Sequence, residues 1–399
     1  MTDDPRALGD VRVVEMGQLL AGPFCGQLLG DFGAEVVKIE PPGSGDPMRE
    51  WGREKPHGLS LWWPILARNK KSITLNLRTQ DGQALARRLL ARADVLVENF
   101  RPGTLESWGL APADLQAENP RLIIARVTGY GQDGPYAPRA GFGSIGEAMG
   151  GIRYVTGDPG KPPSRAGISL GDELAGTFAA LGTLVALHAR HRTGRGQIVD
   201  AALYEAVLAL MESLIPDWEI AGYQRERTGS VLPNIAPSNV YPTKDSPILI
   251  AANRDTIWRR LAALIGRPEL ADDERYATHG ARGAHAQELD RLIGAWTSGR
   301  SSESLLAILH ENGIPAGLTY RARDMLADPH YQAREAIIRM AHPDFGDFPM
   351  HNVFPRLSDT PGEVRTLGPA LGQHNPEIYG TLLGLTPEEI AALETAGII

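Results

Sequence analysis

The stretch VRVVEMGQLLAGPFCGQLLGDFGAEVVKIE, residues 11–40, decides the fold of this chain. Apolar and β-branched residues fill 11–15 and 35–39, which predicts two strands, and residues 21–32 between them have the apolar periodicity of a helix. A strand, a glycine-containing turn, a helix and a second strand form a βαβ unit, in which the two strands pair in parallel. This stretch alone therefore predicts an α/β fold.

The same alternation continues to about residue 130. Residues 72–77, 94–98 and 122–127 are short apolar runs that predict three further strands, and residues 80–92 have helical periodicity with leucines on one face. Strands alternating with helices are typical of a parallel sheet covered by helices on its faces. We expect this part of the chain to form a Rossmann-like large domain.

Beyond residue 129 the pattern changes. Residues 129–171 are dense in glycine and proline, and a long loop of this kind is usually functional or crosses between modules. Helices are predicted over about 172–192 and 202–213, and a smaller α+β module with strands at 239–241 and 248–252 follows. The expected domains are 1–215 for the first part of the large domain, 216–328 for the small domain, and 329–399 for a segment that returns to the large domain.

The C-terminal segment ends in a helix with a strong start signal. Thr386 is placed to cap this helix, Pro387 suits its first position, and Glu389 completes a capping box.

Composition excludes several classes of protein. The 399 residues include 40 Lys+Arg and 48 Asp+Glu, a formal net charge of -8, which argues against nucleic acid as the main partner. Cys25 is the only cysteine, so an intrachain disulfide and a cysteine-rich zinc site are both excluded. The acidic start, residues 1–5, lacks the features of a signal peptide, and we find no run of about 18 apolar residues that would span a membrane. We expect a cytoplasmic protein with no membrane partner.

A dinucleotide-binding site is the first alternative that the βαβ unit raises. Gly17, Gly22 and Gly26 do not have the G-x-G-x-x-G spacing of that site. The spacing does occur at 129–134 and 141–146, but prolines deny the first match its helix, and no strand precedes the second. Close packing and turns explain these glycines more simply, although an NAD-linked oxidoreductase stays open as an alternative.

Three other candidates are weighed against simpler interpretations. Cys25 lies near a helix start that favours a thiolate, but a lone cysteine in an apolar helix is usually core filling. His188 and His191 can share a helix face but have no third ligand nearby, so we expect no metal site. Ser169 lies in a G-x-S-x-G match at 167–171, but a hydrolase nucleophile also requires a preceding strand, which residues 162–165 do not predict.

Asp172 lies where the glycine-rich loop meets the long helix. On the isolated residues, the simplest role for this aspartate is that of a helix N-cap. The same position suits a nucleophile, because the helix dipole holds the carboxylate ionised and Gly171 lets a bulky electrophile approach.

Further motifs are spread along the chain. They are 13–16, 21–23 and 29–40 at the start, then 69–72, 97–103, 119–123 and 129–136, and finally 193–197, 312–315 and 371–374. These motifs occur in order over essentially the whole chain, and as a set they are highly specific. They resemble those of class III CoA-transferases, a family that includes formyl-CoA transferase, carnitine CoA-transferase and α-methylacyl-CoA racemase.

The resemblance implies a Rossmann-like large domain built from both chain ends, a small domain between them, and a homodimer of interlocked ring-like subunits. It places Asp172 at the catalytic aspartate, which attacks an acyl-CoA and forms a covalent aspartyl-CoA intermediate. Coenzyme A is then a co-substrate, with no tightly bound cofactor and no metal, and the partners are an acyl-CoA and a small carboxylic acid. The substrate- and CoA-binding residues that it implies are Ala21, Leu75, Arg78, Asn99, Phe100, Arg101, Phe142 and Gly171.

Within the family, the resemblance favours a transferase over the racemase branch. The racemase's acid/base residues correspond to Phe142 and, in a looser alignment, Arg254, and neither can act as a base near neutral pH. Formyl-CoA transferase has a glycine run that residues 231–239 lack. The segment 140–157 is more similar to the branch that uses succinyl-CoA and dicarboxylic acids such as glutarate, malate, citramalate, mesaconate and itaconate. Formyl-CoA/oxalate and carnitine-type transfer are the alternatives, as is a silent CoA-binding relative.

A dicarboxylate acceptor needs a cation for its distal carboxylate. Arg153, Arg165 and Arg254 are the candidates. Arg78 and Arg101 are candidates for the CoA phosphates, although either could equally be a solvated surface arginine.

Overall fold

A computed structural model describes residues 5–399 of the chain and contains the expected βαβ unit. Strand β1 (Arg12–Glu15) is followed by helix α1 (Ala21–Asp31) and strand β2 (Glu35–Glu40). The two strands pair in parallel, with Val13 opposite Val36. The first four residues of the acidic N-terminal segment lie outside the described residues.

Six strands form one parallel sheet in the order β3-β2-β1-β4-β5-β6, which confirms the α/β prediction. In this order the chain leaves β1 in one direction and returns beside it with β4, so the sheet has a topological switch point between those strands. Ligands of such sheets bind outside the carboxyl ends of the strands at this point. The strands after β2 are β3 (Lys70–Thr74), β4 (Val95–Glu98), β5 (Ile123–Thr128), β6 (Ile198–Ala202), β7 (Ser238–Tyr241), β8 (Ile248–Ala251), β9 (Ala316–Leu318), β10 (Ile337–His342) and β11 (Gly346–His351).

Helices lie on both faces of this sheet, and further helices form part of the remaining chain. After α1 they are α2 (Trp63–Leu66), α3 (Gln80–Leu90), α4 (Thr104–Ser107), α5 (Pro112–Glu118), α6 (Gly143–Met149), α7 (Ile152–Val155), α8 (Leu170–Thr193), α9 (Leu203–Leu208), α10 (Leu214–Glu219), α11 (Asp255–Leu264), α12 (His279–Ala284), α13 (Ala286–Thr297), α14 (Ser302–Glu311), α15 (Ala322–Ala327), α16 (Pro329–Ala333) and α17 (Pro387–Thr395).

Adjacent residues of the central strands point to opposite faces of the sheet. Val13 packs in the core with residues of α1 and α8, whereas Val14 packs with leucines of α3 and with the C-terminal residues Ile398 and Ile399. Both faces are buried, which explains why adjacent residues such as Val13 and Val14 are both apolar and do not alternate with polar ones.

Several element boundaries differ from those expected. The third strand, predicted over 72–77, occupies β3 instead, because the Asn76 amide turns away to donate to the Ile398 carbonyl at 2.7 Å. Helix α9 ends at Leu208, earlier than the predicted 213, and the glycine-rich stretch contains α6 and α7. The capping box of the last helix is confirmed: the Thr386 hydroxyl accepts from the Glu389 amide, and the Glu389 carboxylate accepts from the Thr386 amide.

The chain divides into two compact units. The large unit comprises the chain up to Arg153, Ala166–Leu214 and Ala333–Ile399, and the small unit comprises Tyr154–Arg165 and Ile215–Gln332. The small unit contains the antiparallel sheet β7-β8-β9 and a core around buried Trp258. The segment 154–165 falls outside the expected bounds of the small domain but belongs to this unit, since the Gly157 carbonyl accepts from the Gly229 amide at 2.9 Å.

Helix α8 corrects the expectation that no segment of the chain is long and apolar enough to span a membrane. Its 24 residues reach a mean hydropathy of 1.3 over an 18-residue window. The core helix of a soluble protein can have the same length and mean hydropathy. Helix α8 also packs on α1, so closely that a Cβ on Gly176 would lie 2.6 Å from the Ala21 carbonyl oxygen. Length and composition are therefore weak grounds for a membrane assignment here.

Candidate active site

The loops after β1 and β4 are fastened to each other at the switch point of the sheet. The side-chain amide of Asn99 accepts from the Gln18 amide and donates to the Gln18 carbonyl, both at 2.8 Å. Gly17 and Gly22 lie so close to Asn99 that Cβ atoms on them would approach its side chain to 3.0 and 3.3 Å. Asn99, predicted as a CoA contact, thus has a structural role in holding the β1–α1 loop.

A buried charge network holds the other side of the same loop. Lys38 Nζ contacts Glu15 Oε1 at 2.9 Å and Asp46 Oδ2 at 2.8 Å, and it donates to the Gly17 carbonyl at 2.9 Å. Asp46 in turn accepts from the amide of Leu19, whose φ of 63° is an uncommon left-handed conformation for a leucine. The network therefore fixes the backbone that lines the switch point.

The electrostatics of this network favour its charged state. Burial by itself disfavours the Lys38 ammonium, but the carboxylates of Glu15, Asp46 and Glu40 outweigh it and raise the pKa of Lys38 above its ordinary value. Burial likewise opposes ionisation of Asp46, yet the Lys38 charge and the hydrogen bonds to this carboxylate lower its pKa. Sequence reasoning missed this network, because a charged residue in a predicted strand gives no sign of which distant residues will pair with it.

Asp172 lies in the first turn of α8, which begins at Leu170 rather than at the predicted Asp172. Ser169 occupies the N-cap position, so the prediction that Asp172 itself caps the helix is wrong. The carboxylate is half-buried, and its place in the first turn favours its ionised form through the helix dipole.

Glycines permit the close approach of two helix starts around this carboxylate. A Cβ on Gly143, the first residue of α6, would lie 2.6 Å from Asp172 Cγ and would overlap the carboxylate oxygens. A Cβ on Gly171 would lie 2.8 Å from the Gly143 carbonyl oxygen. Close packing therefore requires a glycine at position 171, which the resemblance places among the substrate- and CoA-binding residues. Any other residue at position 143 would overlap the Asp172 carboxylate, so this packing requires a glycine there.

A cavity of about 190 Å³ opens onto Asp172 at the switch point. Five of the residues predicted for substrate or CoA binding line it together with the Asp172 side chain, namely Ala21, Asn99, Phe100, Arg101 and Phe142. Gln18, Leu19, Val127 and Leu203 are also part of its wall. The structure thus brings the predicted nucleophile and most of its predicted neighbours together.

A second cavity, of about 640 Å³, is lined by Leu75 and Arg78. Gln18, Phe100 and Arg101 line both cavities, so the two form one groove along the carboxyl ends of the strands, which we call the switch-point groove. Phe100 is fixed there by an edge-to-face contact with Trp108, with ring centroids 5.0 Å apart. Leu75 is 2 % exposed and belongs to the core, so it offers the groove little surface, whereas Arg78 is exposed.

Of the cations proposed for a distal carboxylate, none lines the Asp172 cavity. Arg153 forms an ion pair with buried Glu147 at 2.9 Å, and Arg165 and Arg254 are exposed residues of the small unit. The cation that does line this cavity, besides Arg101, is Arg139, which sequence reasoning missed. Its position three residues before Phe142 in the glycine-rich loop was the available signal.

The alternative nucleophiles are poorly placed for chemistry. Cys25 is fully buried, and burial together with the nearby Glu15 carboxylate raises the pKa of its thiol to about 12. No strand precedes Ser169 between residues 156 and 168, so the nucleophile elbow that G-x-S-x-G requires is absent. Among residues 5–399, no group of three or more His, Cys, Asp or Glu side chains could hold a metal ion.

The sequence pattern of CoA-transferase family III matches residues 8–375 of the chain. The succinyl-CoA–D-citramalate CoA-transferase of Chloroflexus aurantiacus is 61% identical over 99% of this chain and 98% of its own. The β subunit of the succinyl-CoA–L-malate CoA-transferase of the same organism is 41% identical over 98% of each chain. A crystal structure of a CAIB/BAIF family protein from Brucella suis, 36% identical, superimposes with a TM-score of 0.83 over 95% of this chain and 100% of the other.

Proposed function

The chain belongs to CoA-transferase family III, and we propose that it moves CoA from succinyl-CoA to a small dicarboxylate of the citramalate type through Asp172. The observation that carries the proposal is the placement of the Asp172 carboxylate, in the first turn of α8 and at the wall of the switch-point groove. The named activities of the two Chloroflexus relatives, which both use succinyl-CoA and a dicarboxylate, support the choice of substrates.

The reaction begins with attack of the Asp172 carboxylate on the thioester carbonyl of succinyl-CoA. The tetrahedral intermediate collapses, the C–S bond breaks, and CoA thiolate leaves a mixed succinyl–aspartyl anhydride. The thiolate then attacks the aspartyl carbonyl and expels succinate, which gives the aspartyl-CoA thioester. The carboxylate of the acceptor attacks this thioester and again releases the thiolate, and attack of the thiolate on the acceptor carbonyl yields the new acyl-CoA and restores Asp172.

Each step exchanges one activated acyl group for another, so one thioester is consumed for each one formed. The chain contributes a nucleophile whose ionised form the helix start favours, and the cavity that Asp172 lines gives a carbonyl carbon its approach. Carboxylates and the CoA thiolate attack in turn beside Asp172, so the thiolate has to stay bound between steps. The switch-point groove is the proposed site that retains it.

The larger cavity of the switch-point groove is the proposed binding site for the nucleotide end of CoA. Arg78 and Arg101 line it and carry the charge that CoA phosphates need, and the Phe100–Trp108 pair supplies an apolar surface for the adenine or pantetheine. The smaller cavity then receives the acyl end beside Asp172.

A homodimer is the proposed assembly. Helix α8 buries one face against α1 and exposes large apolar side chains on the other, and an exposed face of this kind is typical of an interface. These side chains are Phe178, Leu181, Leu184 and Val185, which are 38%, 53%, 42% and 60% exposed.

The test is a transfer assay with purified protein, succinyl-CoA and D-citramalate in the absence of ATP, with the CoA esters separated by chromatography. The proposal predicts citramalyl-CoA and succinate in equal amounts. Conversion of succinyl-CoA to free CoA alone, or no conversion, contradicts it, and formyl-CoA with oxalate is then the next pair to test. The racemase alternative predicts exchange of the α-proton of a 2-methylacyl-CoA with deuterated solvent.

A further inference from the structure

Arg139 lies at the end of the switch-point groove that holds the nucleophile. It lines the cavity of about 190 Å³ together with Asp172 but does not line the larger cavity of the groove. Arg101, in contrast, lines both cavities and therefore lies where they join. The cation specific to the acyl end of the groove is thus Arg139.

The guanidinium of Arg139 is oriented by an aromatic ring. Its Cζ lies 3.7 Å above the ring centroid of Tyr136, and the Arg139 amide donates to the Tyr136 carbonyl at 2.9 Å. Tyr136 is in turn fixed by an edge contact with Tyr130, with ring centroids 5.9 Å apart. Stacking occupies the face of a guanidinium and leaves its N–H groups pointing outward in the plane, where a carboxylate binds through two parallel hydrogen bonds.

The loop that carries Arg139 is anchored at both ends of its turn. Gly129 and Gly141 approach so closely that a Cβ on either would lie within 2.9 Å of the other's Cα. The two ends of the stretch 130–140 therefore lie close together, just before α6. The first residue of α6, Gly143, lies against Asp172. Within residues 5–399 the contacts of the Arg139 side chain include the Tyr136 ring but no ion pair with a carboxylate.

We infer that Arg139 binds the free carboxylate of the succinyl donor and then that of the dicarboxylate acceptor, an inference that rests on the proposed function. Succinyl-CoA and a dicarboxylate acceptor share only one recognisable group besides the reacting carboxyl carbon, which is a second carboxylate. Because both pass through the same cavity in turn, one fixed cation serves both halves of the reaction. Arg139 is then a specificity-determining residue that excludes monocarboxylic acyl groups from efficient transfer.

The test compares two donors that differ only at the distal end, succinyl-CoA and butyryl-CoA, with wild type, Arg139→Gln and Arg139→Lys. The measured quantity is kcat/KM for each donor. We expect Arg139→Gln to lower the value for succinyl-CoA by about 100-fold, as loss of a bidentate charge-assisted pair predicts, and to change that for butyryl-CoA less than about 3-fold. Arg139→Lys keeps the charge without the fork and should recover part of the loss.

The control is Arg339→Gln, which removes an exposed arginine that pairs with Asp347 at 2.8 Å on the β10–β11 hairpin and should alter neither donor. An equal loss of both donors in Arg139→Gln overturns the inference, since that pattern indicates a role in CoA binding or in folding. An unchanged value for succinyl-CoA also overturns it. Failure of the wild-type enzyme to use succinyl-CoA at all contradicts the proposed function instead, so the two failures are distinguishable.

Discussion

Gly143 lies directly against the carboxylate of Asp172, close enough that a Cβ on the glycine would be 2.6 Å from Asp172 Cγ. The Asp172 carboxylate can occupy its observed position only because residue 143 has no side chain. Since the carboxylate is the movable end of a side chain, it can turn away from an added methyl group at little cost in stability, but it then leaves the position from which it attacks.

Gly143→Ala should therefore lower kcat by about 100-fold, the scale of loss that a displacement near 1 Å causes, while the melting temperature changes little. Gly299→Ala is the matched control, because Gly299 has nothing within 4 Å of an added Cβ. Steady-state kinetics and thermal melts of both variants provide the check. An alanine at 143 that supports wild-type turnover would show that this placement of the carboxylate has no catalytic role.

Acid should destabilise the protein through Glu40. This buried carboxylate accepts from Arg49 Nε at 2.7 Å and from Arg49 Nη2 at 2.8 Å, and although burial opposes ionisation, Arg49, Lys38 and Ser72 lower its pKa below the ordinary 4.5. A carboxyl whose folded-state pKa is depressed stabilises the fold above its unfolded pKa, and that contribution is lost as the pH falls through the folded value.

Chemical denaturation of the wild type at a series of pH values should thus show a free energy of unfolding that decreases below about pH 4.5. Glu40→Gln should be less stable than the wild type at pH 7 and show a shallower decrease on acidification. Parallel pH profiles for the two proteins would disprove the assignment.

The Cys25 thiol should be inert in the folded protein. With its pKa raised to about 12 by burial and by Glu15, almost none of it is thiolate at pH 8, and reagents also cannot reach it. Ellman's reagent should react only after denaturation, and Cys25→Ala should keep activity within about 2-fold and cost about 1 kcal/mol in stability. Rapid modification of the native protein with loss of activity would instead support Cys25 as the nucleophile.

The proposed dimer depends on the exposed face of α8. Light scattering should give the wild type a mass near twice 43.1 kDa, and the double variant Leu181→Glu, Val185→Glu should shift it toward the monomer, because each carboxylate would be buried unpaired at the interface. A wild type that is monomeric at micromolar concentration contradicts the proposal.

The sequence was sufficient for those features that depend on neighbouring residues. The βαβ unit and the capped last helix follow from local periodicity and from Thr386 and Glu389, and Asp172 was found because a loop meets a helix there. The observed start of α8 lies two residues before the expected one: Ser169 occupies the N-cap position, although its side chain makes no capping hydrogen bond.

Features that depend on residues distant in sequence were beyond such reasoning. Lys38 is a charged residue in a predicted strand, and only the fold shows that Glu15 and Asp46 surround it. In the sequence, Arg139 is an ordinary loop arginine, and only the folded chain shows that it lines a cavity with Asp172. Arg153 was a plausible alternative by the same criteria, and its ion pair with Glu147 is invisible in the sequence.

The covalent role of Asp172 is the central claim, and trapping with hydroxylamine tests it most directly. The enzyme is incubated with succinyl-CoA, hydroxylamine is added, and the peptide carrying residue 172 is identified by mass spectrometry. We expect a hydroxamate on Asp172 that requires succinyl-CoA and does not form in Asp172→Ala, because both the anhydride and the aspartyl thioester react with hydroxylamine at the aspartyl carbonyl. An unmodified Asp172 under conditions in which CoA is being transferred would contradict the account.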